Sequence, residues 1–198
     1  MHLLLATHNE HKRREFERLL VGRDGSRVQV QALPDGLELP PEVGETFAEN
    51  ALEKARAAAQ ACGCASFADD SGIAAADLGG RPGVRSARYA GEHASDAENL
   101  EKLMREVPVG GALEYVCVIA YVDPAGGLER LFEGRCGGRL AATRRGERGF
   151  GYDPAFLPDD GPEGLTMAEL SDEQKDRISH RGRAARAMLA WLEEPGAA

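Results

Sequence analysis

Lysine is scarce in this chain. It occurs four times, at Lys12, Lys54, Lys102 and Lys175, against twenty arginines, so each lysine's position carries information. Basic residues are also outnumbered: 24 Lys and Arg face 33 Asp and Glu, a formal net charge of −9. The chain therefore lacks the basic excess that broad binding to DNA or RNA backbones requires, and nucleic acid is not expected as a partner. A small anion held in a local basic pocket is still compatible with this balance. No apolar run reaches the roughly 20 residues of a membrane span. Residues 1–6 have neither the basic start nor the long apolar stretch of a signal peptide. Cysteine is limited to Cys62, Cys64, Cys117 and Cys136, and only the first two lie close together, without zinc spacing. They read as plain buried thiols, and a cytoplasmic location follows. There is no repeat, low-complexity segment or clear linker. With 198 residues, 42% of them hydrophobic, the chain has length enough for the core of one domain, 1–198, or of a domain with two lobes.

What is present is organised around residues 65–72, Ala-Ser-Phe-Ala-Asp-Asp-Ser-Gly. A short run of small and apolar residues reads as a buried strand, and it is expected to end in the two carboxylates. Adjacent like charges repel, more so when buried, and a fold keeps them chiefly when a positive group, usually a metal ion, sits against them. Successive strand residues face opposite ways, so Asp69 and Asp70 are expected to do different jobs. Gly72 is expected to let the backbone turn and a ligand approach. The plainer alternative is an Asx-type turn closing the strand.

Along the chain, residues 2–6 read as a first strand. Thr7, His8, Asn9, Glu10, His11 and Lys12 follow as a polar loop entering a helix with Phe16, Leu19 and Leu20 on one face. Backbone N–H groups at such a helix start favour an anion, although the loop lacks the glycines and Lys-Ser/Thr pair of a P-loop. A simple cap by Thr7 or Asn9 explains it equally well. Residues 27–33 read as a second strand. Capping-box patterns at Thr46–Glu49, Ser95–Glu98 and Ser171–Gln174 predict three helix starts, the first followed by a stripe of alanines suited to close packing on a sheet. Residues 79–88 read as a glycine-rich basic loop. Residues 113–122, 128–135 and 138–142 read as strands of an antiparallel meander, with a turn at 123–127. A glycine-rich loop at 144–154 follows, and a last helix carries Ala184, Ala187, Met188, Trp191 and Leu192 and ends before Pro195. The expected fold is α/β: a mixed sheet flanked by helices, with an antiparallel β extension and two lobes around a central cleft.

The polar clusters together suit one ligand class. Lysines and N–H donors suit a polyphosphate, hard carboxylate oxygens suit a divalent metal, and Phe150 offers a face for a base. A nucleoside triphosphate with Mg2+ is the leading candidate.

Five ordered motifs, Thr7–Lys12, Phe67–Gly72, Pro82–Tyr89, Phe150–Pro154 and Ser179–Gly182, resemble those of the inosine/xanthosine triphosphate pyrophosphatases, the Ham1-like family. The resemblance spans nearly the whole chain. It implies hydrolysis of ITP, dITP and XTP to the monophosphate and pyrophosphate, Mg2+ dependence, a homodimer and a role in cleansing the nucleotide pool. It implies Asp70 as catalytic base and metal ligand. Thr7, His8, Asn9, Glu10, His11, Lys12 and Ser71 would hold the substrate, chiefly its phosphates. Phe150, Gly151, Tyr152, Asp153, Lys175, His180 and Arg181 would complete the substrate site. Chemically, Lys12 and Lys175 would neutralise the pyrophosphate leaving group, and His180 and Arg181 would donate to the 6-oxo edge, where adenine carries an amino donor instead. The chain departs from the family in having His8 where a glycine is usual. It also offers only Glu42, in Pro40-Pro41-Glu42-Val43-Gly44, as the second metal carboxylate, with Glu45 and Glu49 as alternatives.

Three rival readings compete with this one. Asp70-Ser71-Gly72 matches the turn of an aspartic peptidase, but no second such triplet occurs in the chain. An aspartyl-phosphate phosphatase spaces its acidic pair by one residue, whereas Asp69 and Asp70 are adjacent. A non-catalytic nucleotide-binding module would bind nucleotide and release no pyrophosphate. Taken alone, His2, His11 and His93 read as solvated or structural, Tyr89 and Trp191 as packing residues, and Arg85 and Arg88 as loop residues.

Overall fold

The apolar runs and capping signals resolve into strands and helices in the computed structural model, which describes residues 1–21, 25 and 28–194. In chain order these are β1 (His2–Leu5), α1 (Glu10–Leu19), β2 (Gln29–Gln31), α2 (Phe47–Cys62), β3 (Ser66–Ala75), α3 (Asp96–Glu106), β4 (Ala112–Asp123), β5 (Leu128–Leu140), β6 (Phe156–Pro158), α4 (Asp172–Ile178) and α5 (His180–Leu192). The strands form one sheet in the order β2-β1-β3-β4-β5-β6. β1 runs parallel to β2 and β3, with Leu3 opposite Val30 and Leu5 opposite Phe67. β5 and β6 are antiparallel, with Leu140 opposite Phe156. The sheet is mixed and the fold is α/β.

The chain divides into two compact units, the first comprising Met1–Asp70, Cys117–Gly134 and Arg183–Ala198, the second Ser71–Val116 and Arg135–Gly182. Each has its own core. In the first, Leu3, Leu5, Phe16, Phe67, Ile119 and Trp191 are buried together, with the Phe16 and Phe67 rings edge to face at 5.2 Å. A further cluster there joins the α2 alanines Ala51, Ala55, Ala58 and Ala59 to Leu4, Ala6, Ala68 and Ala120. Alanine adds no bulk to the helix surface, so α2 seats closely on the strands. In the second unit, Ile73, Leu100, Leu103, Tyr115, Cys136 and Phe156 are buried with Leu140, Tyr152 and Met167.

All three expected capping boxes form, at Thr46, Ser95 and Ser171. Each such cap contributes about 0.5–2 kcal/mol. A fourth, unanticipated box at Thr166 and Glu169 opens a 3-10 turn at Met167–Glu169.

Five expectations change. β3 does not stop at the carboxylates. It runs through them to Ala75, so Asp69 and Asp70 are mid-strand and no Asx turn closes it. Gly72 makes no turn either. A Cβ there would lie 2.4 Å from Ser86 Oγ and 2.5 Å from the Gly83 carbonyl, so the glycine makes room for the chain's own 3-10 helix at Gly83–Arg88. Residues 79–88 are accordingly not a plain loop. The strands expected at 128–135 and 138–142 are one continuous strand to Leu140, because Cys136 and Gly137 between them stay in the ladder and Gly137 takes no positive φ. The second strand is shorter than expected, Gln29–Gln31. Arg27, at its expected start, and Pro195, after the last helix, lie outside the described residues.

Candidate functional site

In the first unit, β1 feeds α1 through residues 6–9. Asn9 caps the helix: its Oδ1 accepts from the N–H groups of His11 at 2.9 Å and Lys12 at 3.1 Å. Thr7 Oγ1 accepts from the Asn9 N–H at 3.2 Å. His8, Glu10 and His11 are exposed. Glu10 turns to Arg13, whose hydrogen bond holds its carboxyl below the usual range. Lys12 instead reaches β3, with Nζ 3.1 Å from Asp69 Oδ1.

Asp69 and Asp70 are 1% and 4% exposed, and their partners differ as strand alternation requires. Asp69 meets Lys12 and the Cys117 thiol, the latter at 3.8 Å. Asp70 Oδ2 accepts from Asn50 Nδ2 at 2.9 Å. Asn50 Oδ1 in turn accepts from the Gly44 N–H at 2.8 Å, which fixes the orientation of its amide. Lys54, one helical turn after Asn50, donates to the Asp69 carbonyl at 2.7 Å and pairs with Glu42. Burial alone would lower the Lys54 pKa, but the charges of Asp69, Glu42 and Asp70 together raise it. For Asp70, burial is the largest influence and raises its pKa; Lys54 opposes this, Glu42 adds to it, and the net shift is upward. Glu42 and Asp70 thus sense one another as like charges. Glu45 sits beside its own helix cap, its N–H donating to Glu49 Oε2 at 2.8 Å, and Glu49 also receives the Thr46 N–H at 3.0 Å. Of the three candidate second carboxylates, Glu42 is the one coupled to Asp70.

The second unit gathers the remaining expected residues. Ser71 Oγ accepts from an Arg181 guanidinium nitrogen at 2.8 Å, and Arg181 is 1% exposed. The Phe150 ring lies under two cations, with Lys175 Nζ 5.2 Å and the Arg181 Cζ 5.5 Å from its centroid. Asp153 Oδ2 accepts from Lys175 Nζ at 2.7 Å and from the Phe150 N–H at 3.0 Å, and its Oδ1 accepts from the Tyr115 hydroxyl at 3.1 Å. His180 stacks on Tyr115, with centroids 4.4 Å apart and planes 4° from parallel. Burial, then the Asp153 charge, pushes the Tyr115 hydroxyl far up, so it stays a neutral donor. The Gly151 N–H donates to Asp96 Oδ2 at 2.9 Å, and the Tyr152 hydroxyl donates to the Ser86 carbonyl at 2.7 Å. These two residues anchor the loop that carries Phe150.

Sequence reasoning passed over Asn50, Lys54 and Tyr115. A signal existed for the first two: they are polar residues four apart on the alanine-rich face of α2, and one of them is among the four lysines. Tyr115 had none, since an aromatic in a β-forming run reads as core.

A model of the Ham1 family matches residues 3–191. The chain is 44% identical over 208 aligned positions to the dITP/XTP pyrophosphatase of Corynebacterium glutamicum (strain R), with all of both chains covered. It is 46% identical over 200 positions to the dITP/XTP pyrophosphatase of Geobacillus kaustophilus, covering 97% of this chain and 94% of the relative. The solved structure of a HAM1 protein from Coxiella burnetii matches with a TM-score of 0.86 and 34% identity over 98% of this chain and 100% of that one. With sequence and fold agreeing end to end, the chain belongs to the Ham1 family.

Proposed function

We propose that this chain is a nucleoside triphosphate pyrophosphatase that hydrolyses dITP, ITP and XTP to the monophosphate and pyrophosphate, with residues 1–198 acting as one functional domain. The relatives named dITP/XTP pyrophosphatase support the substrate class. The observation that carries the chemistry is the first unit's cluster, in which the carboxylates of Asp69, Asp70 and Glu42 are held with the ammonium groups of Lys12 and Lys54.

The donor set there fits Mg2+. Asp70 and Glu42 present hard carboxylate oxygens, and the Glu42 charge disfavours the ionised Asp70, which a divalent cation relieves. Held by these carboxylates, Mg2+ would supply charge neutralisation for the substrate's phosphates. The chain's own groups do the rest. Asp70 orients the attacking water and takes its proton as the new P–O bond forms and the bridging P–O bond breaks. Lys12 and Lys54 offset the charge that develops on the departing pyrophosphate; Lys175, expected from the sequence to share that task, is instead paired with Asp153 and lies over the Phe150 ring. The backbone N–H groups and side chains of residues 7–12 hold phosphate oxygens, aided by Ser71.

The second unit reads the base. Phe150 offers its ring for stacking, and His180 and Arg181 donate to the 6-oxo edge of hypoxanthine or xanthine. Adenine places an amino donor against those donors and is rejected. Asp153 serves by fixing Lys175, Phe150 and Tyr115 around that edge, and Gly151 and Tyr152 hold the loop.

A homodimer and a cytoplasmic location are part of the same proposal; no helix among the described residues is long and apolar enough to cross a membrane. The test is pyrophosphate release with Mg2+ from ITP, dITP, XTP, GTP and ATP. Rates on the deaminated nucleotides far above that on ATP are expected. Equal rates refute the base assignment, and binding without release makes the chain a nucleotide-binding module.

A further inference from the structure

A cavity of about 230 Å³ in the second unit is lined by Arg81, Pro82, Arg85, Arg88, Tyr89 and Lys102. Four of the six lining residues are cationic and none is acidic, in a chain whose formal charge is −9. The proposed reaction uses none of the six.

The cations are mounted on rigid supports. Arg85 and Arg88 are three residues apart in the 3-10 helix Gly83–Arg88, a spacing that puts them on the same face. Between them, Ser86 is buried and pins the helix to β3: its Oγ accepts from the Ile73 N–H at 2.8 Å and bonds the Gly83 carbonyl at 2.6 Å. Gly72 leaves room for that contact. Lys102, from α3, donates to the Tyr89 carbonyl at 2.7 Å and lies 4.3 Å from the Tyr89 ring centroid. The Tyr89 hydroxyl is turned to Glu106, and burial with that partner pushes it up to about 12, so the phenol brings no negative charge. Like charges gathered around a concave wall raise its positive potential, which an anion relieves. The volume exceeds one phosphate group and suits one or two.

We propose that this cavity is a second oxyanion site, selective for phosphate-class anions, either inorganic phosphate or pyrophosphate. Arginine forks supply paired donors to phosphate oxygens, and Lys102 supplies a point charge. The site works as a pocket of the second unit alone, and a catalytically dead chain would retain it. Pyrophosphate is also the released product of the proposed reaction, so occupancy would rise as product accumulates.

The test is a 1H–15N NMR titration of the full chain, without added metal, using inorganic phosphate in one arm and pyrophosphate in the other. Amides of residues 81–89 and 102 shift saturably in one or both arms, and the tighter arm identifies the ligand. Arg85 is exposed, with its backbone in the 3-10 helix, so Arg85→Glu keeps the fold. It weakens binding at those amides by about tenfold or more, the loss of a charge-assisted contact, while any response at residues 7–12 persists. Arg85→Ala gives a smaller loss in the same direction. No shift at residues 81–102 in either arm overturns the proposal. So does an unchanged affinity in Arg85→Glu. A change of oligomeric state in Arg85→Glu, with no anion response in the parent, overturns it in favour of a protein interface.

Discussion

The Asn50 amide donates to Asp70 at 2.9 Å while accepting from the Gly44 N–H at 2.8 Å, so one side chain of α2 tethers the turn that bears Glu42 to the carboxylate of β3. Asn50 is 3% exposed, and both its polar atoms are engaged. Asn50→Leu keeps the volume and removes both bonds. Partners that orient metal ligands typically matter by about 10–100-fold, and a loss of turnover of that size is expected, with weaker Mg2+ binding by calorimetry. Gly44→Ala attacks the same bridge from its other end, because a Cβ there would sit 2.7 Å from Asn50 Oδ1. Full activity and full metal affinity in both variants would show that the bridge has no part in placing the carboxylates.

Asp70 sets function against stability. Burial raises its pKa above the ordinary 3.8, so the folded chain holds this proton more tightly than the unfolded chain. The stability this group contributes is fully present below the ordinary value and is lost as pH rises through the folded value. At neutral pH the buried carboxylate is therefore a cost. Asp70→Asn removes that cost and can still accept from Asn50. It is expected to melt a few degrees higher at pH 7 and to show a flatter stability profile above pH 3.8. Turnover should fall by about 10²–10⁴-fold, the usual size of a lost general base. Thermal melts across pH, with pyrophosphate release, check both halves.

Gly72 tests the contact between β3 and the 3-10 helix. Adding one methyl group meets Ser86 Oγ at 2.4 Å and the backbone carbonyl of Gly83 at 2.5 Å, and the carbonyl has little freedom to move. Gly72→Ala is expected to destabilise the chain by about 1–3 kcal/mol, the range of overpacking, read from urea denaturation. A neutral result would mean the helix shifts without cost.

Lys175 and Asp153 form an ion pair with side chains 7% and 3% exposed. Removing either partner leaves a buried charge uncompensated, a loss of about 3–5 kcal/mol, whereas removing both is milder. Lys175→Met and Asp153→Asn should each destabilise more than the double variant does. A cycle of denaturation measurements resolves this, and additive losses would contradict it. Lys175→Met should also raise KM for ITP more than it lowers kcat, since the residue supports the base-reading face.

Much of this was legible in the sequence, for local reasons. Capping boxes are complete within four residues, so Thr46, Ser95 and Ser171 marked their helices correctly. The first loop and the residues around Asp70, Phe150 and His180 stood out because each keeps several polar types in a short run. Elsewhere local signals misled. Asp-Asp-Ser-Gly has the composition of a turn, yet β3 continues through it, since Lys12 and Asn50 arrive from other elements to partner the carboxylates and Lys54 bonds the Asp69 carbonyl. Gly72 looked like a flexible joint and proved to be a clearance.

The sequence by itself determined the element types, the helix starts and the chemistry available, because propensity, capping and charge type act between near neighbours. Only the tertiary structure decided which groups meet. It placed Asn50 between Gly44 and Asp70, set Lys54 among three carboxylates, stacked Tyr115 on His180 and assembled the basic cavity. Those pairings join residues up to dozens of positions apart. Their cost or gain depends on burial and distance, which exist only once the sheet and helices have packed.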